Sequence, residues 1–224
     1  MALLAGLTGC SWIGDRLQAS FTDLLATLPA GQVGVAVAAG DRAITLGDWS
    51  VGPAWSTIKV PISVAALRTD PAAAQPLVTR AITASDNDAA MALWQLLGAG
   101  DAAGRQVQAV LADGDSPATV VQTRQIYPPY SPFGQTQWAQ TDMARFAFGL
   151  PCVATADPVL AQMRNITAEQ RWGLADGDTP SKGGWGPDPG GGYLVRQLAL
   201  LTNTAGTVGV ALAALRISPF GSAR

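Results

Sequence analysis

Ser56-Thr57-Ile58-Lys59-Val60-Pro61-Ile62-Ser63-Val64-Ala65-Ala66-Leu67 decides how this chain folds. The stretch has helical length and is apolar almost throughout, which predicts a buried helix. Pro61 is tolerated only in the first turns, where no backbone donor is lost, so the helix begins close to Ser56. Ser56 and Lys59 then lie one turn apart on one face, and the amine can touch the hydroxyl oxygen. At a helix N-terminus the serine also gains a positive dipole and free N–H groups that favour an oxyanion. A lysine partly desolvated there can lose its proton and serve as a base. Taken alone, S-x-x-K occurs by chance in many chains, as a helix start followed by a solvated lysine.

Working outward, Leu17, Phe21, Leu24, Leu25 and Leu28 recur at helical spacing and predict an amphipathic helix over 15–28, stopped by Pro29. Residues 32–38 and 42–46 read as two strands around the turn Ala39-Gly40-Asp41. Helical segments are predicted at 77–84, 88–97, 102–111, 141–148 and 157–166, and Tyr127-Pro128-Pro129-Tyr130-Ser131-Pro132 is rigid loop chemistry. Residues 193–202 and 208–215 suit buried strands. Strands at both chain ends with helices between them predict an α/β (α+β) domain over 11–224. Its mixed sheet is assembled from the termini, and its helical lobe spans about residues 56–170.

The chain has 224 residues, 48% hydrophobic and 13% charged, enough apolar content to bury a core and too much for disorder. A formal charge of −2 excludes nucleic-acid binding by counterion release and membrane binding by charge alone. There is no histidine, so the usual triad base and the commonest metal ligand are both missing. Acid–base chemistry falls to Lys, Asp, Glu, Tyr or Ser, and neither a metal nor another cofactor is expected. Cys10 and Cys152 make no disulfide framework or metal cluster. Cys152 reads as a buried packing thiol, with a Cys10–Cys152 bridge as the alternative.

Leu7-Thr8-Gly9-Cys10, closing an apolar N-terminal stretch, resembles a bacterial lipobox. The resemblance implies that residues 1–10 are a truncated lipoprotein signal, that Cys10 is lipidated, and that the protein is exported to the cell envelope, with the lipid anchor as its membrane contact. Nine residues precede the cysteine and none is basic, so either the true start lies upstream or the match is chance. No later stretch has the 18 uncharged apolar residues a membrane span needs.

Ser85-Asp86-Asn87 alone is a turn signal, and Lys182-Gly183-Gly184 alone is a strand start. In this order behind Ser56-x-x-Lys59, the three resemble the active-site boxes of the serine β-lactamase and penicillin-binding-protein superfamily. Ala81-Ile-Thr-Ala-Ser-Asp-Asn-Asp-Ala-Ala90 resembles the second box with its flanks, and Thr141-Asp-Met-Ala-Arg145 a helix that follows the omega loop. The resemblance covers residues 30–217 and is closest to class A β-lactamases. It implies an antiparallel five-stranded sheet flanked by helices, and a serine hydrolase of β-lactamase or D-alanyl-D-alanine-peptidase type that acts as a monomer. Ser56 would be the nucleophile and Lys59 its base. Ser85 would pass the proton to the leaving nitrogen, Asn87 would hold the substrate amide and position Lys59, and Lys182 would supply positive potential. Beside Gly184, the N–H of Trp185 would complete the oxyanion hole with that of Ser56. The implied partner is a small-molecule β-lactam or a peptidoglycan stem peptide.

The chain departs from that pattern in three ways. Only 29 positions separate Ser56 from Ser85, so the helical lobe is reduced and the cleft more open. Gly183 stands where the family has a hydroxyl that binds the substrate carboxylate. Arg196 is either a replacement for it or a surface charge on an edge strand. The omega-loop glutamate that activates water would fall near Val121, yet the chain's one glutamate is Glu169, and Asp115 nearby reads as a turn former. Acylation followed by slow deacylation is therefore expected. The alternative is a non-catalytic envelope-binding module that keeps the same cleft.

Overall fold

The hairpin around Gly40, whose φ of 60° suits a residue without Cβ, joins β1 (Gln32–Ala39) to β2 (Arg42–Gly47). In a computed structural model that describes residues 8–175, 177–188, 190–204 and 206–216, β1 also pairs with β7 (Gly206–Arg216). β7 pairs with β6 (Tyr193–Asn203), and β6 with β5 (Ser181–Pro187). The result is the five-stranded sheet β2-β1-β7-β6-β5, antiparallel throughout and built from both ends of the chain. On its inner face Ala36, Ala38, Ala211 and Ala213 are small and buried. A side chain at Gly209 would collide with the backbone of Ala144 and Phe148, so α6 (Gln140–Gly149) lies directly on the sheet.

The helical lobe is organised around α2 (Lys59–Thr69), in which every residue from Lys59 to Leu67 is buried. A 3₁₀ turn over Trp55–Ile58 precedes it, so the coil begins where Pro61 required, one turn tighter than an α-helix. Around it pack α3 (Pro71–Thr83), α4 (Asn87–Leu96), α5 (Gly100–Asp113) and α7 (Asp157–Arg164). The sequence predicts a helix only from Leu77, beyond Pro76, but α3 begins at Pro71 and runs through that proline. Asp70 caps the first turn by accepting from Ala73 N at 3.1 Å, and Pro71 takes the first helical position. A two-stranded sheet, β3 (Val51–Pro53) against β4 (Gln137–Ala139), had no sequence signal, because three residues carry no periodicity.

Three expectations are corrected. α1 runs over Thr8–Leu25, and of the apolar positions that set its predicted face Phe21 is buried, whereas Leu17, Leu24 and Leu25, with Leu28 beyond, face solvent. Met1–Leu7 and the side chain of Cys10 lie outside the described residues. Cys152 is a free, exposed thiol at the end of a short 3₁₀ turn, neither buried nor bridged. Among the described residues no single helix is long and apolar enough to cross a membrane.

Arg196 is the third correction, being fully buried and turned away from the cleft. Its guanidinium donates to Gly52 O (2.8 Å), Pro53 O (3.0 Å), Trp138 O (2.9 Å) and Gln140 Oε1 (3.0 Å), and lies 4.8 Å from the Trp49 ring. It pins the β3–β4 pair to the main sheet and meets neither a substrate carboxylate nor water. Burial pulls its pKa down to about 9, which leaves it charged at neutral pH. Arg196→Met keeps the volume and removes all four bonds, so urea unfolding should register a loss of about 3 kcal/mol or more.

Candidate active site

The chain leaves β3, turns at Trp55 with φ 50°, and enters the 3₁₀ turn that carries Ser56. Thr57 fastens this turn: its N–H (3.2 Å) and its hydroxyl (2.6 Å) both donate to Ala54 O. Ser56 is half-buried in the wall of a cleft of about 610 Å³, and its hydroxyl hydrogen-bonds no described residue.

Lys59 is 1% exposed, and its ammonium does not bond Ser56. It donates instead to the carbonyl of Ser85, to Ser85 Oγ (3.3 Å) and to Asn87 Oδ1 (2.7 Å). Helical spacing put the amine on the right face, but the turn beside it claims its donors. Burial lowers its pKa from 10.5 to about 8, with the charge of Asp86 pulling the other way. Asp86 itself is architectural. It caps α4 by accepting from Ala89 N (2.9 Å) and pairs with Arg80 (2.6 Å), locking the turn that presents Ser85 and Asn87 on either side of Lys59.

Ser85 is held at φ 56°, in the left-handed region, and its hydroxyl accepts from a second amine, Lys182 Nζ, at 2.8 Å. Lys182 also donates to Gly183 O at 2.8 Å. Its pKa is driven far below 10.5, first by burial and then by the charge of Lys59. One hydroxyl thus receives hydrogen bonds from two buried lysines, and its own proton is left to point elsewhere.

β5 reaches this centre because it lacks side chains on the contact side. A Cβ at Gly184 would stand 2.7 Å from Ser56 N and 2.9 Å from Thr57 N, and one at Gly186 would stand 2.6 Å from the Trp55 ring. At Gly183 the space a hydroxyl side chain would need is filled by the Trp172 ring. Trp185, on the same strand, is partly exposed in the cleft and meets Trp172 edge-on, with ring centroids 6.2 Å apart.

Several other lining residues carry no site motif in the sequence: Tyr130, Phe133, Gln170 and Tyr193. The segment 126–131 is shaped by the buried Gln135, which accepts from Ile126 N (3.1 Å) and Tyr127 N (2.7 Å) and donates to Tyr127 O (3.2 Å), Tyr130 O (3.0 Å) and Ser131 O (3.2 Å). Val121 is buried, Glu169 is exposed outside the cleft lining, and Asp115 sits exposed at φ 64° with Arg145 3.8 Å away. Asp88, at the rim, is the one carboxylate that lines the cleft among the described residues. Among them, too, no three His, Cys, Asp or Glu side chains are grouped to hold a metal.

No family model and no curated protein sequence matches the chain. Solved structures do. The TLA-3 extended-spectrum β-lactamase is similar at TM-score 0.70 and 14% identity, over 93% of this chain and 92% of that one. A β-lactamase from Streptosporangium roseum is similar at 0.67 and 18%, over 90% of each. One from Sphaerobacter thermophilus is similar at 0.66 and 20%, over 92% and 91%. The chain has a serine β-lactamase-like fold.

The clearance at Gly184 and the unbonded state of Ser56 lead to opposite expectations. Gly184→Ala forces β5 off the Ser56 turn and should lower stability by about 1–3 kcal/mol. Ser56→Ala loses no bond to the described protein and should stay within about 0.5 kcal/mol of the parent. Thermal unfolding of both variants side by side measures the difference.

Proposed function

We propose that the protein is an exported serine acyl-transfer hydrolase, anchored to the envelope through lipidated Cys10 and acting as a monomer. In this reading it forms an acyl-enzyme with β-lactams or with peptidoglycan stem-peptide analogues. The observation that carries the proposal is the Ser85 hydroxyl bonded by two buried lysine amines at 2.8 and 3.3 Å, in the cleft that Ser56 lines. Such an arrangement moves protons without histidine.

Ser56 Oγ attacks the carbonyl carbon while its proton passes to neutral Lys59 Nζ. Charge develops on the carbonyl oxygen, which faces the N–H groups of Ser56 and Trp185. Collapse breaks the C–N bond, and the leaving nitrogen takes the Ser85 hydroxyl proton, which Lys59 restores. The product is an ester on Ser56 with Lys59 neutral again. Lysine suits this role because burial holds its pKa near the working pH. Asn87 holds the substrate amide, and Lys182 keeps positive potential beneath Ser85. Hydrolysis of the ester needs a base for water, and the wall over the site, from Pro129 to Gly134, carries no carboxylate. Deacylation is therefore slow. That Lys59 bonds Ser85 and Asn87 but not Ser56 favours a second reading, a non-catalytic module that binds envelope peptides in the same cleft.

A chromogenic β-lactam with intact-mass detection decides between the two. A burst near one equivalent followed by a slow phase, with the adduct on Ser56 and none in Ser56→Ala, supports the acyl-enzyme. No adduct leaves the binding module. Turnover at about 10 s⁻¹ or more without a burst would reveal a water-activating base elsewhere in the cleft.

The rate should also follow pH with a definite sign. The active form of Lys59 is the neutral amine, and its pKa is lowered to about 8. Acylation should rise through pH 8 and level off above it, by about tenfold per unit on the acid limb. A rate that falls as pH rises from 7 to 9 would exclude Lys59 as the base.

A further inference from the structure

Gln170 is 8% exposed, lines the cleft, and its side-chain amide hydrogen-bonds no described residue. Its Oε1 is sealed in the wall without a partner, which leaves the Nε2 end, a double donor, to meet a ligand. A buried amide normally finds partners inside the protein, because leaving a buried polar group unmet forfeits its hydration with nothing in return. The segment around it is firmly held. Thr167 N donates to Thr83 O at 3.0 Å, two residues before Ser85, and Gln197 Nε2 donates to Trp172 O at 2.8 Å. The segment that carries Gln170 is thus fixed between the Ser85 turn and β6, with the amide unengaged.

The surroundings define what it meets. Two buried amines lie under Ser85, neither in a salt bridge with a described residue, so this end of the cleft attracts a negative group. The protein donors nearby are few, since the Trp172 ring fills the side-chain space at Gly183 and Arg196 is committed to the β3–β4 joint. We propose that Gln170 is a specificity residue whose amide donates a hydrogen bond to the ligand carboxylate held beside Ser85 and Lys182. This rests on the acyl-transfer reading above and adds the contact by which the site selects anionic substrates.

The test compares benzylpenicillin with its methyl ester, which has no free carboxylate, by the rate at which each forms an adduct on the parent, Gln170→Met and Gln170→Glu. Methionine keeps the volume and removes the donor, and glutamate sets a like charge against the carboxylate. Losing a hydrogen bond to a charged group should slow labelling by benzylpenicillin about ten- to a hundredfold in Gln170→Met, and further in Gln170→Glu. The ester should label all three proteins at nearly equal rates. Equal slowing of both probes would mean a structural role, and no slowing of either would mean no role, so either result overturns the proposal. A parent that labels with neither probe overturns the acyl-transfer reading itself, and this contact with it.

Discussion

The centre of this molecule is an electrostatic constraint: two lysine amines, both out of water, within hydrogen-bond reach of one serine oxygen. Neither has a carboxylate partner among the described residues, and the charge of Lys59 adds to the cost of charging Lys182. Such a pair persists only where the elements that carry it are fixed independently. Lys59 comes from the most buried helix, α2, and Lys182 from β5, tied along its length to β6. Ser85 is strained into a left-handed turn by the cap and ion pair of Asp86. Apolar packing of the lobe and hydrogen bonding of the sheet supply the rigidity that the charges oppose.

The second constraint is steric. The Ser56 turn and β5 approach so closely that the glycines at 184 and 186 are required by backbone and ring contacts. The small β3–β4 sheet sets the height of that turn, because Ala54 N donates to Thr136 O at 2.8 Å just past Pro53. Arg196 holds that sheet down with four hydrogen bonds to carbonyl and amide oxygens. A buried cation on β6 thus fixes where Ser56 stands, without touching the cleft.

Much of this was legible in the chain. Residues 193–202 and 208–215 are apolar runs of strand length, and helical segments lie between them and the N-terminal hairpin, so the sheet built from both ends and its helical insert followed from pattern. Ser56, Lys59, Ser85, Asn87 and Lys182 meet because three motifs recur in a known order. What stayed hidden was tertiary. Arg196 reads as surface because its partners are carbonyl oxygens, which have no sequence signature. Gln170, Tyr130 and Tyr193 join the cleft through loop geometry alone. The exposed leucines of α1 have the period of a core helix, yet periodicity cannot say whether a face is covered.

On the proposed acyl-transfer reading, the absence of a carboxylate from the segment 129–134 and the lowered pKa of Lys59 are two sides of one choice. An opposite charge within about 4–6 Å moves an ionisable group by about 1–3 units toward its charged form. A carboxylate placed on the segment 129–134 to activate water would also face Lys59 and pull its pKa back up from about 8. Less of the lysine would then be neutral at physiological pH, and the first step would lose part of its base. Asp86 is the one carboxylate that acts on Lys59, and its own bonds to Arg80 and the α4 cap hold it as an architectural anion. On the proposed acyl-transfer reading, a site arranged this way favours forming the ester over breaking it. A carboxylate on the segment 129–134 would speed the second step only by taking neutral base away from the first.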